Sequence, residues 1–542
     1  MAMPSRVAKF HRASGDQAVW KSRHGFPILA TLIVPVLVWA ILLGGNFIMQ
    51  HVHISFAPLT LVNPGFEAGE PERSWSGWNT SGPGYAFLIE ADGHSGKYRL
   101  TQQGVDEPVE TWQTLKGLKK DWYTLRAWVR SSGDQKTAYI TLKDCGSPVQ
   151  RVSVPVAPPD KWLQIVVSSE VTNGQCTIGL GSEGGPKAWV SFDDVELAAG
   201  RAALSIMGAD VSSLKKSEDK GGLYTYEDGT RGDALQILKD HGLNYIRLRV
   251  WVNPADGYHD KAELLVMAKR ARELGIKVLV DFHYSDTWAD PGKQYKPAAW
   301  EKLDFESLKK ALYDHTFDVC SSLVAQGTPP DMVQVGNEIN SGMLWPDGNS
   351  KHWDNLAALL KEGYRAVKDA SPATRVMLHI AEGGKNVETR WWFDNAIQRE
   401  VPFDLIGVSY YAYWHGTLAD LQNNLNDISE RYGKDVIVVE TAFPFTMAEN
   451  DAQPNIITTL SVRGYPIGQA GQEKMLADVM SIVRAVPNGR GLGIFYWDAT
   501  WTAVKGNGWD PAAPSSGNGW ENQALFGYQN QALPAMRVFG VP

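Results

Sequence analysis

The sequence predicts an α/β chain. It comprises a (β/α)8 TIM barrel over residues 204–542, an all-β sandwich over 57–200 and an N-terminal transmembrane or signal segment over 26–49, behind a basic tail of residues 1–25. Three observations carry this reading. From residue 206 onward, eight apolar runs of strand length alternate with helical stretches. Between 57 and 200, short alternating strands are separated by Gly, Pro, Asp and Ser clusters, with no long stretch of 3.6-residue period. Near the start, residues 26–45 form an uncharged apolar run of the length, about 20 residues, that spans a bilayer as a helix.

Ahead of that run stand Arg6, Lys9, Arg12, Lys21 and Arg23 against one acid, Asp16. This asymmetry places the tail in the cytoplasm and the remainder outside it. No small-x-small cleavage site follows Leu43, so an uncleaved anchor is expected, with a cleaved signal as the alternative. Pro27 and Pro35 are compatible with a membrane helix. Of three cysteines, Cys145 and Cys176 fall in the β-rich region and can pair if it is exported, while Cys320 falls in a helical pattern and reads as a buried thiol. The 542 residues are 44% hydrophobic and carry a net charge of −8, which leaves no basic excess for phosphates and argues against a nucleic-acid partner. The 21 tryptophans suit stacking on sugar rings and equally suit large cores.

Within the β-rich region, strands are read at 123–129, 138–142 and 163–167. Its opening, Leu61-Val-Asn-Pro-Gly-Phe-Glu67, and its ending, Val190-Ser-Phe-Asp-Asp-Val-Glu-Leu197, resemble those of jelly-roll carbohydrate-binding modules. That resemblance implies first and last strands lying side by side, often with a structural calcium nearby. Glu67, Asp193 and Asp194 are then its candidate ligands, since carboxylate oxygens suit that ion, and solvated edge charges are the alternative. Trp75, Trp78, Tyr85, Trp112 and Trp122 are candidate sugar platforms, although core packing is the ordinary role of each alone. Trp75 and Trp78 sit in a polar loop, so at least one is expected to be exposed. The small residues of 198–203 make a linker too short to separate two domains far.

The barrel strands are read at 206–211, 245–251, 277–284, 332–339, 376–381, 405–411, 436–442 and 492–497. Helices are read at 232–241, 261–274, 305–326, 353–370, 417–432 and 473–486. A doubly wound open sheet is the alternative, but no Gly-rich phosphate loop follows the first strand. Barrel sites lie at the C-terminal strand ends. Those ends offer Arg247, Arg249 and Trp251; Asp281, His283 and Tyr284, then Asp286, Trp288 and Asp290; Asn337 and Glu338; Tyr410 and Tyr411, then Trp414 and His415; Glu440; and Trp497 with Asp498. A buried strand ending in a carboxylate is costly unless the charge has work or a partner. Glu338 and Glu440 are two such ends, the pair a retaining glycoside hydrolase requires. Arg247 and Asp281 are equally readable as a supporting ion pair.

Long motifs sharpen this. Gly336-Asn-Glu-Ile-Asn-Ser-Gly-Met-Leu-Trp-Pro-Asp-Gly348 resembles the acid/base motif of glycoside hydrolase family 53, the endo-β-1,4-galactanases. Residues 246–254, 281–291, 407–415 and 439–445 match the same family in order, and the likeness runs through the whole C-terminal domain. One departure is Tyr496-Trp-Asp-Ala-Thr-Trp501, where the family commonly has Trp-Glu-Pro after the tyrosine. The resemblance implies Glu338 as general acid/base, Glu440 as nucleophile, and β-1,4-galactan or type I arabinogalactan as substrate. Arg249 and Tyr410 or Tyr411 are expected to keep Glu440 ionised, and Asn337 to bond the 2-hydroxyl. Trp288, Trp345 and Trp497 are expected as sugar platforms, with His283, Asp286 and Asp290 completing the substrate-binding set. No redox cofactor or catalytic metal is needed. Some bacterial members hold a structural calcium in the loop that is 445–471 here, where Glu449, Asn450 and Asp451 show no clear ligand spacing. The alternatives are another retaining endo-glycanase such as a mannanase, or a non-catalytic membrane-tethered glycan-binding protein.

Overall fold

The computed structural model describes residues 58–68, 75–104, 106–459 and 462–540. The apolar run 26–45, and the anchor expected there, lies outside them. Among the described residues no helix is long and apolar enough to cross a membrane.

Two antiparallel sheets form the sandwich. One runs in the order 87–91, 98–103, 189–199, 121–131, 163–171; the other in the order 79–81, 109–116, 175–184, 135–143, 150–153. The first strand, Pro58–Leu59, pairs antiparallel with Trp189–Ala199, so first and last strands do lie side by side. Alternation fills the interior: Leu125, Ile140, Leu142, Ile165, Ile178, Leu180 and Phe192 are fully buried between the sheets. Cys145 and Cys176 are paired, tying the turn after 135–143 to the neighbouring strand. Trp78 is buried against Phe66, its Nε1 donating to the Asn63 carbonyl at 3.0 Å. Trp75 packs on Phe87. The loop expected to expose one of them turns both toward apolar neighbours, because a small sandwich needs large rings to close its end.

The barrel strands are β1 (Ile206–Asp210), β2 (Tyr245–Val250), β3 (Lys277–Phe282), β4 (Met332–Val335), β5 (Arg375–Ile380), β6 (Leu405–Ser409), β7 (Asp435–Thr441) and β8 (Gly491–Tyr496). They close in chain order, β1 lying parallel to β8. Inside, Ile206, Tyr245, Leu279, Met332, Met377, Leu405, Ile437, Val439, Leu492 and Phe495 form their own buried cluster, the packed floor beneath the site. Two glycines make room for its larger members. A Cβ on Gly208 would stand 2.4 Å from the Phe495 ring, and one on Gly407 2.5 Å from Met377 Sδ.

Outside lie α1 (Leu214–Asp219), α2 (Ala234–Asp240), α3 (Lys261–Glu273), α4 (Phe305–Ala325), α5 (Trp353–Ala370), α6 (Asn386–Gln398), α7 (Leu418–Tyr432) and α8 (Gln469–Arg484). Asp233, Asp260 and Asp304 cap α2, α3 and α4 by accepting from N–H groups of the first turn, and Thr417 with Asp420 makes a capping box for α7. The sequence reading has no helix at α6. There Trp392, Phe393 and Ala396 are buried while Val387, Trp391 and Ile397 are exposed, so apolar residues on both faces blur the stripe.

Polar contacts join sandwich and barrel. Gln164 N donates to Gln422 Oε1 at 2.7 Å, and Gln422 Nε2 returns a bond to the Gln164 carbonyl at 2.8 Å. Arg463 donates to the Ser132 carbonyl. The short linker lies on the sandwich, Ala202 N donating to Ser168 Oγ and Thr124 Oγ1. A Gly208→Ala chain should lose about 1–3 kcal/mol, because the methyl meets Phe495 in a filled barrel. Equilibrium urea unfolding would read this, and an unchanged midpoint would show that the floor is looser than its packing indicates.

Candidate active site

Backbone geometry at the end of β4 sets up the site. The strand stops at Val335, Gly336 follows at φ +87°, and Glu338 sits at φ 46°, ψ 52°. Left-handed backbone at a non-glycine residue is costly and persists where the surroundings hold it. Glu338 N donates to His379 Nδ1 at 3.3 Å and Gln294 Nε2 donates to the Asn337 carbonyl at 2.8 Å, and these bonds fix the turn. Glu440 needs no such turn, because it points inward from β7 itself.

Arg247, on β2 and almost fully buried, joins the strand ends. Its guanidinium lies 3.0 Å from Asp210, 2.8 Å from Asp281 and 2.9 Å from Glu440, and it donates to Asn337 Oδ1 at 2.7 Å. Burial opposes its charge, but Asp281, Glu440 and Asp210 outweigh burial and hold its pKa above the usual range. The Asp281 carboxyl is held below its usual value despite burial, chiefly by Arg247.

Atoms of Glu338, Glu440 and His379 all lie within 4.8 Å of one another. The two carboxyls are held differently. Glu440 has Arg247 on Oε1 and Tyr411 OH donating to Oε2 at 2.9 Å. Among the described residues no cation is in contact with Glu338; Ser409 Oγ donates to its Oε1 at 2.6 Å. Burial raises both pKa values. The charge of Glu440 raises that of Glu338 further, whereas Arg247 counters the rise at Glu440. The pair's first proton therefore belongs on Glu338.

His379 supports the protonated partner from behind. It is fully buried on β5, and burial holds its pKa well below the usual histidine value, so the ring is neutral. The tautomer that satisfies its neighbours carries hydrogen on Nε2, which donates to Ser409 Oγ at 2.8 Å, while Nδ1 accepts from Glu338 N and from Gln334 Nε2. Both nitrogens are spent, so His379 offers no free lone pair to a metal ion.

The cleft above this pair has a volume of about 330 Å³. Nine of the twelve side chains expected to serve catalysis or substrate binding line it: Arg249, His283, Trp288, Asp290, Asn337, Glu338, Tyr411, Glu440 and Trp497. Three do not. Asp286 staples a loop by accepting from Asn253 N and Ala298 N, both at 2.9 Å. Tyr410 is buried and donates to the Gly416 carbonyl. Trp345 donates to the Ser341 carbonyl and packs edge-on against Tyr295. Arg249 lines the cleft without reaching Glu440. Its guanidinium lies 4.1 Å from the Trp288 ring centroid and 3.8 Å from Asp498. The contact with Glu440 expected of Arg249 belongs to Arg247.

The sequence reading did not select Ser409 or His379, nor Glu382, which also lines the cleft. The signal for His379 was legible, a lone polar ring in the apolar run Val376-Met-Leu-His-Ile380. The aromatic wall is also larger than expected. Trp288 stacks on Trp509 at 4.6 Å, Trp497 meets Trp520 edge-on at 4.6 Å, and Trp414 at the rim is 49% exposed.

In the sandwich, Glu67, Asp193 and Asp194 gather around residues 93–98. Glu67 accepts from Lys97 N and Tyr98 N, Asp193 from His94 N, and Asp194 from Ser95 Oγ at 2.7 Å while facing His94 Nδ1. Oxygen donors suit calcium by type, but N–H and O–H groups already engage each carboxylate. Burial and neighbouring Asp194 push the Asp193 pKa up to about 7.

Comparison with known proteins agrees with this geometry. The profile of glycosyl hydrolase family 53 matches residues 206–539, more than half of the chain. Arabinogalactan endo-beta-1,4-galactanase of Thermothelomyces thermophilus is 34% identical over 62% of this chain and 99% of its own length. Endo-beta-1,4-galactanase of Bacillus subtilis is 35% identical over 62% of this chain and 85% of its own. Among solved structures, the GH53 catalytic domain of Ignisphaera aggregans is 39% identical, with 63% of this chain and 97% of that one covered at a TM-score of 0.60. The match spans the whole barrel that carries Glu338 after β4 and Glu440 on β7, and the chain belongs to glycosyl hydrolase family 53.

Proposed function

We propose that this chain is a retaining endo-β-1,4-galactanase in which Glu338 is the general acid/base and Glu440 the nucleophile. The observation that carries the reading is the close approach of the two carboxyls, oxygens within 4.8 Å, with Arg247 and Tyr411 on Glu440 and Ser409 on Glu338. Retaining enzymes keep their carboxyls about 5–5.5 Å apart, and inverting enzymes leave roughly 6.5–9.5 Å for a water. The galactan specificity is supported by the named activity of the relatives and by the match along the barrel.

The reaction follows from the contacts. Glu440, ionised beside Arg247 and oriented by Tyr411, attacks the anomeric carbon as Glu338 gives its proton to the departing glycosidic oxygen. A glycosyl ester forms on Glu440 and the C–O bond to the leaving sugar breaks. Glu338, now ionised, takes a proton from water as that water attacks the anomeric carbon, which releases the sugar and restores Glu440. Asn337 has its oxygen on Arg247 and one amide hydrogen on the Ala289 carbonyl, which leaves a second hydrogen for a sugar hydroxyl.

Export and anchoring extend this proposal. The pairing of Cys145 with Cys176 supports export, since disulfides persist in oxidising compartments. We also propose that the apolar run 26–45 anchors the enzyme in a membrane. Full-length protein should then sediment with membranes and resist salt extraction. A soluble mature chain starting between residues 46 and 57 would show a cleaved signal instead.

Glu440→Gln should abolish release of oligosaccharides from β-1,4-galactan, because an amide forms no glycosyl ester. Glu338→Gln should lose about 10²–10⁴-fold on galactan and much less on an activated aryl galactoside, which needs no proton. Near-native galactan turnover by either variant would falsify the assignment.

Activity requires Glu440 ionised and Glu338 protonated, and both pKa values are raised. The bell of kcat/KM against pH should therefore lie above the ordinary carboxylate range of about 4. Ser409 stabilises ionised Glu338. Ser409→Ala should raise the Glu338 pKa further and move the alkaline limb to higher pH. An unmoved limb would show that this hydroxyl does not set the acid's strength.

A further inference from the structure

The line from Glu338 after β4 to Glu440 on β7 divides the mouth of the barrel in two. One half carries the ends of β8, β1, β2 and β3, the other the ends of β5 and β6. A polysaccharide that brings one bond between the carboxyls crosses that line, so its sugars rest in both halves. The first half offers the aromatic wall of Trp288, Trp497 and Trp509. The second offers Glu382 after β5, and Trp414 and His415 after β6.

The backbone around Glu382 is fixed from both sides. Before it, Ala381 N donates to Asn340 Oδ1 at 2.7 Å, which ties the end of β5 to the turn after β4. After it come two glycines pressed against the end of β6. Gly383 N donates to the Ser409 carbonyl at 2.8 Å, and a Cβ on Gly384 would run into the His415 carbonyl oxygen. Lys385 N closes the turn on the Glu382 carbonyl at 2.8 Å. Glu382 itself stands at φ 70°, a conformation that favours glycine. A charged side chain held in strained backbone at a cleft is an outlier that points to work for that side chain.

Most of its carboxylate is open. Among the described residues the side chain has one partner, Lys385 Nζ at 2.7 Å from Oε1, and Lys385 is 43% exposed. Such a pair holds weakly, so Lys385 steers the carboxylate without saturating it. His415 has a free nitrogen as well. Its Nδ1 lies 3.1 Å from the Ser409 carbonyl and 3.2 Å from Tyr411 N, while Nε2 has no partner among the described residues. Burial pushes the His415 pKa down to about 4, so the ring is neutral. In either tautomer Nε2 suits a hydroxyl, which both donates and accepts.

We propose that Glu382, with His415, clamps the hydroxyls of the substrate sugar lying on the β5–β6 half of the mouth, and so determines how tightly a galactan chain is held across the cleavage point. This rests on the galactanase reading of the cleft. A carboxylate accepts from two neighbouring hydroxyls of one pyranose, and hydrogen bonds to a charged acceptor are stronger than neutral ones. The imidazole takes a third hydroxyl. The two halves of the mouth then divide the task. The tryptophan wall meets the apolar faces of sugar rings, and the Glu382 side reads where their hydroxyls stand.

The test is isothermal titration of β-1,4-galactohexaose into the full-length Glu440→Gln chain. Adding Glu382→Gln or Glu382→Gly should raise Kd about tenfold, the loss expected when hydrogen bonds to a charged acceptor are removed. Glycine suits the left-handed backbone, so the Glu382→Gly chain should melt no lower than its parent. In the chain with Glu440 intact, the same changes should raise KM for galactan by a similar factor and change kcat less, because Glu382 touches a sugar and not the reacting atoms. Lys385→Met, which leaves the carboxylate in place, should raise Kd less than about threefold. Unchanged Kd in both Glu382 variants would overturn the clamp. So would a Glu382→Gly chain that melts lower as it binds more weakly, since Glu382 would then serve the fold. Hydrolysis of galactan by the unmutated chain is scored separately. Cleavage of galactan with unchanged Kd in the variants refutes the clamp alone, whereas a parent that neither cleaves nor binds refutes the galactanase reading with it.

Discussion

Arg247 is the interaction on which the site depends. One buried guanidinium faces carboxylates from β1, β3 and β7 and the amide of Asn337 after β4. Three carboxylates around one cation are an excess of negative charge in a place that water barely reaches. Such a cluster holds only while geometry is good and every remaining lone pair finds a donor, and removing one partner of a buried pair costs about 3–5 kcal/mol. Ser212 N on Asp210, His283 on Asp281 and Tyr411 on Glu440 supply those donors. The surplus charge then falls on the neighbour with no cation of its own. Glu338 keeps a proton because Arg247 is already committed to Glu440.

The same logic explains why strained backbone collects here. Glu338, Tyr284 and Glu382, each just past a barrel strand, have φ values of 46°, 48° and 70°. A strand that continued regularly would alternate its side chains between the barrel axis and the helices. At Glu338 and Glu382 the left-handed residue breaks that alternation and sets the side chain into the cleft, whereas Tyr284 turns outward to Thr316 of α4. The cost is met by bonds such as Glu338 N to His379, which tie the turn of β4 to β5. His379 thereby fixes both the main chain of Glu338 and, through Ser409, its carboxyl.

Much of this was legible in the chain. All eight barrel strands are found within a few residues of their predicted bounds, because a parallel barrel buries both faces of each strand and writes an unbroken apolar run. Glu338 and Glu440 were legible for the complementary reason, since a carboxylate ending such a run is tolerated only where it has a partner or a task. The choice between Arg247 and Arg249 was not. Both point to one side of β2, two residues apart, and only the depth of the barrel layer decides which one meets Glu440. Trp75 and Trp78 misled because a polar loop usually means exposure, whereas the sandwich draws large rings from its loops to seal its end. The roles of Gly179 and Gly181 in the sandwich were hidden for another reason. Glycine in a strand reads as weakness, and only the register shows that Gly179 and Gly181 lie beneath Glu110 and Tyr139.

The wall of the cleft beside β7 ties the two halves together. The chain between β7 and α8 is long and contains no helix or strand among its described residues, a length at which compact domains seldom leave a connection unsupported. Its support comes from both sides. Asn522 Nδ2 donates to the Thr446 carbonyl at 3.0 Å and Phe445 N to the Asn522 carbonyl at 2.9 Å, while Ile456 N donates to the Gly519 carbonyl at 2.8 Å. Farther along, Arg463 holds the sandwich at Ser132, and Gly464 at φ +82° lies where any Cβ would strike Val156. Ile456 of this segment lines the cleft. The sandwich therefore does more than accompany the barrel, because it clamps one end of a loop whose middle shapes the substrate channel.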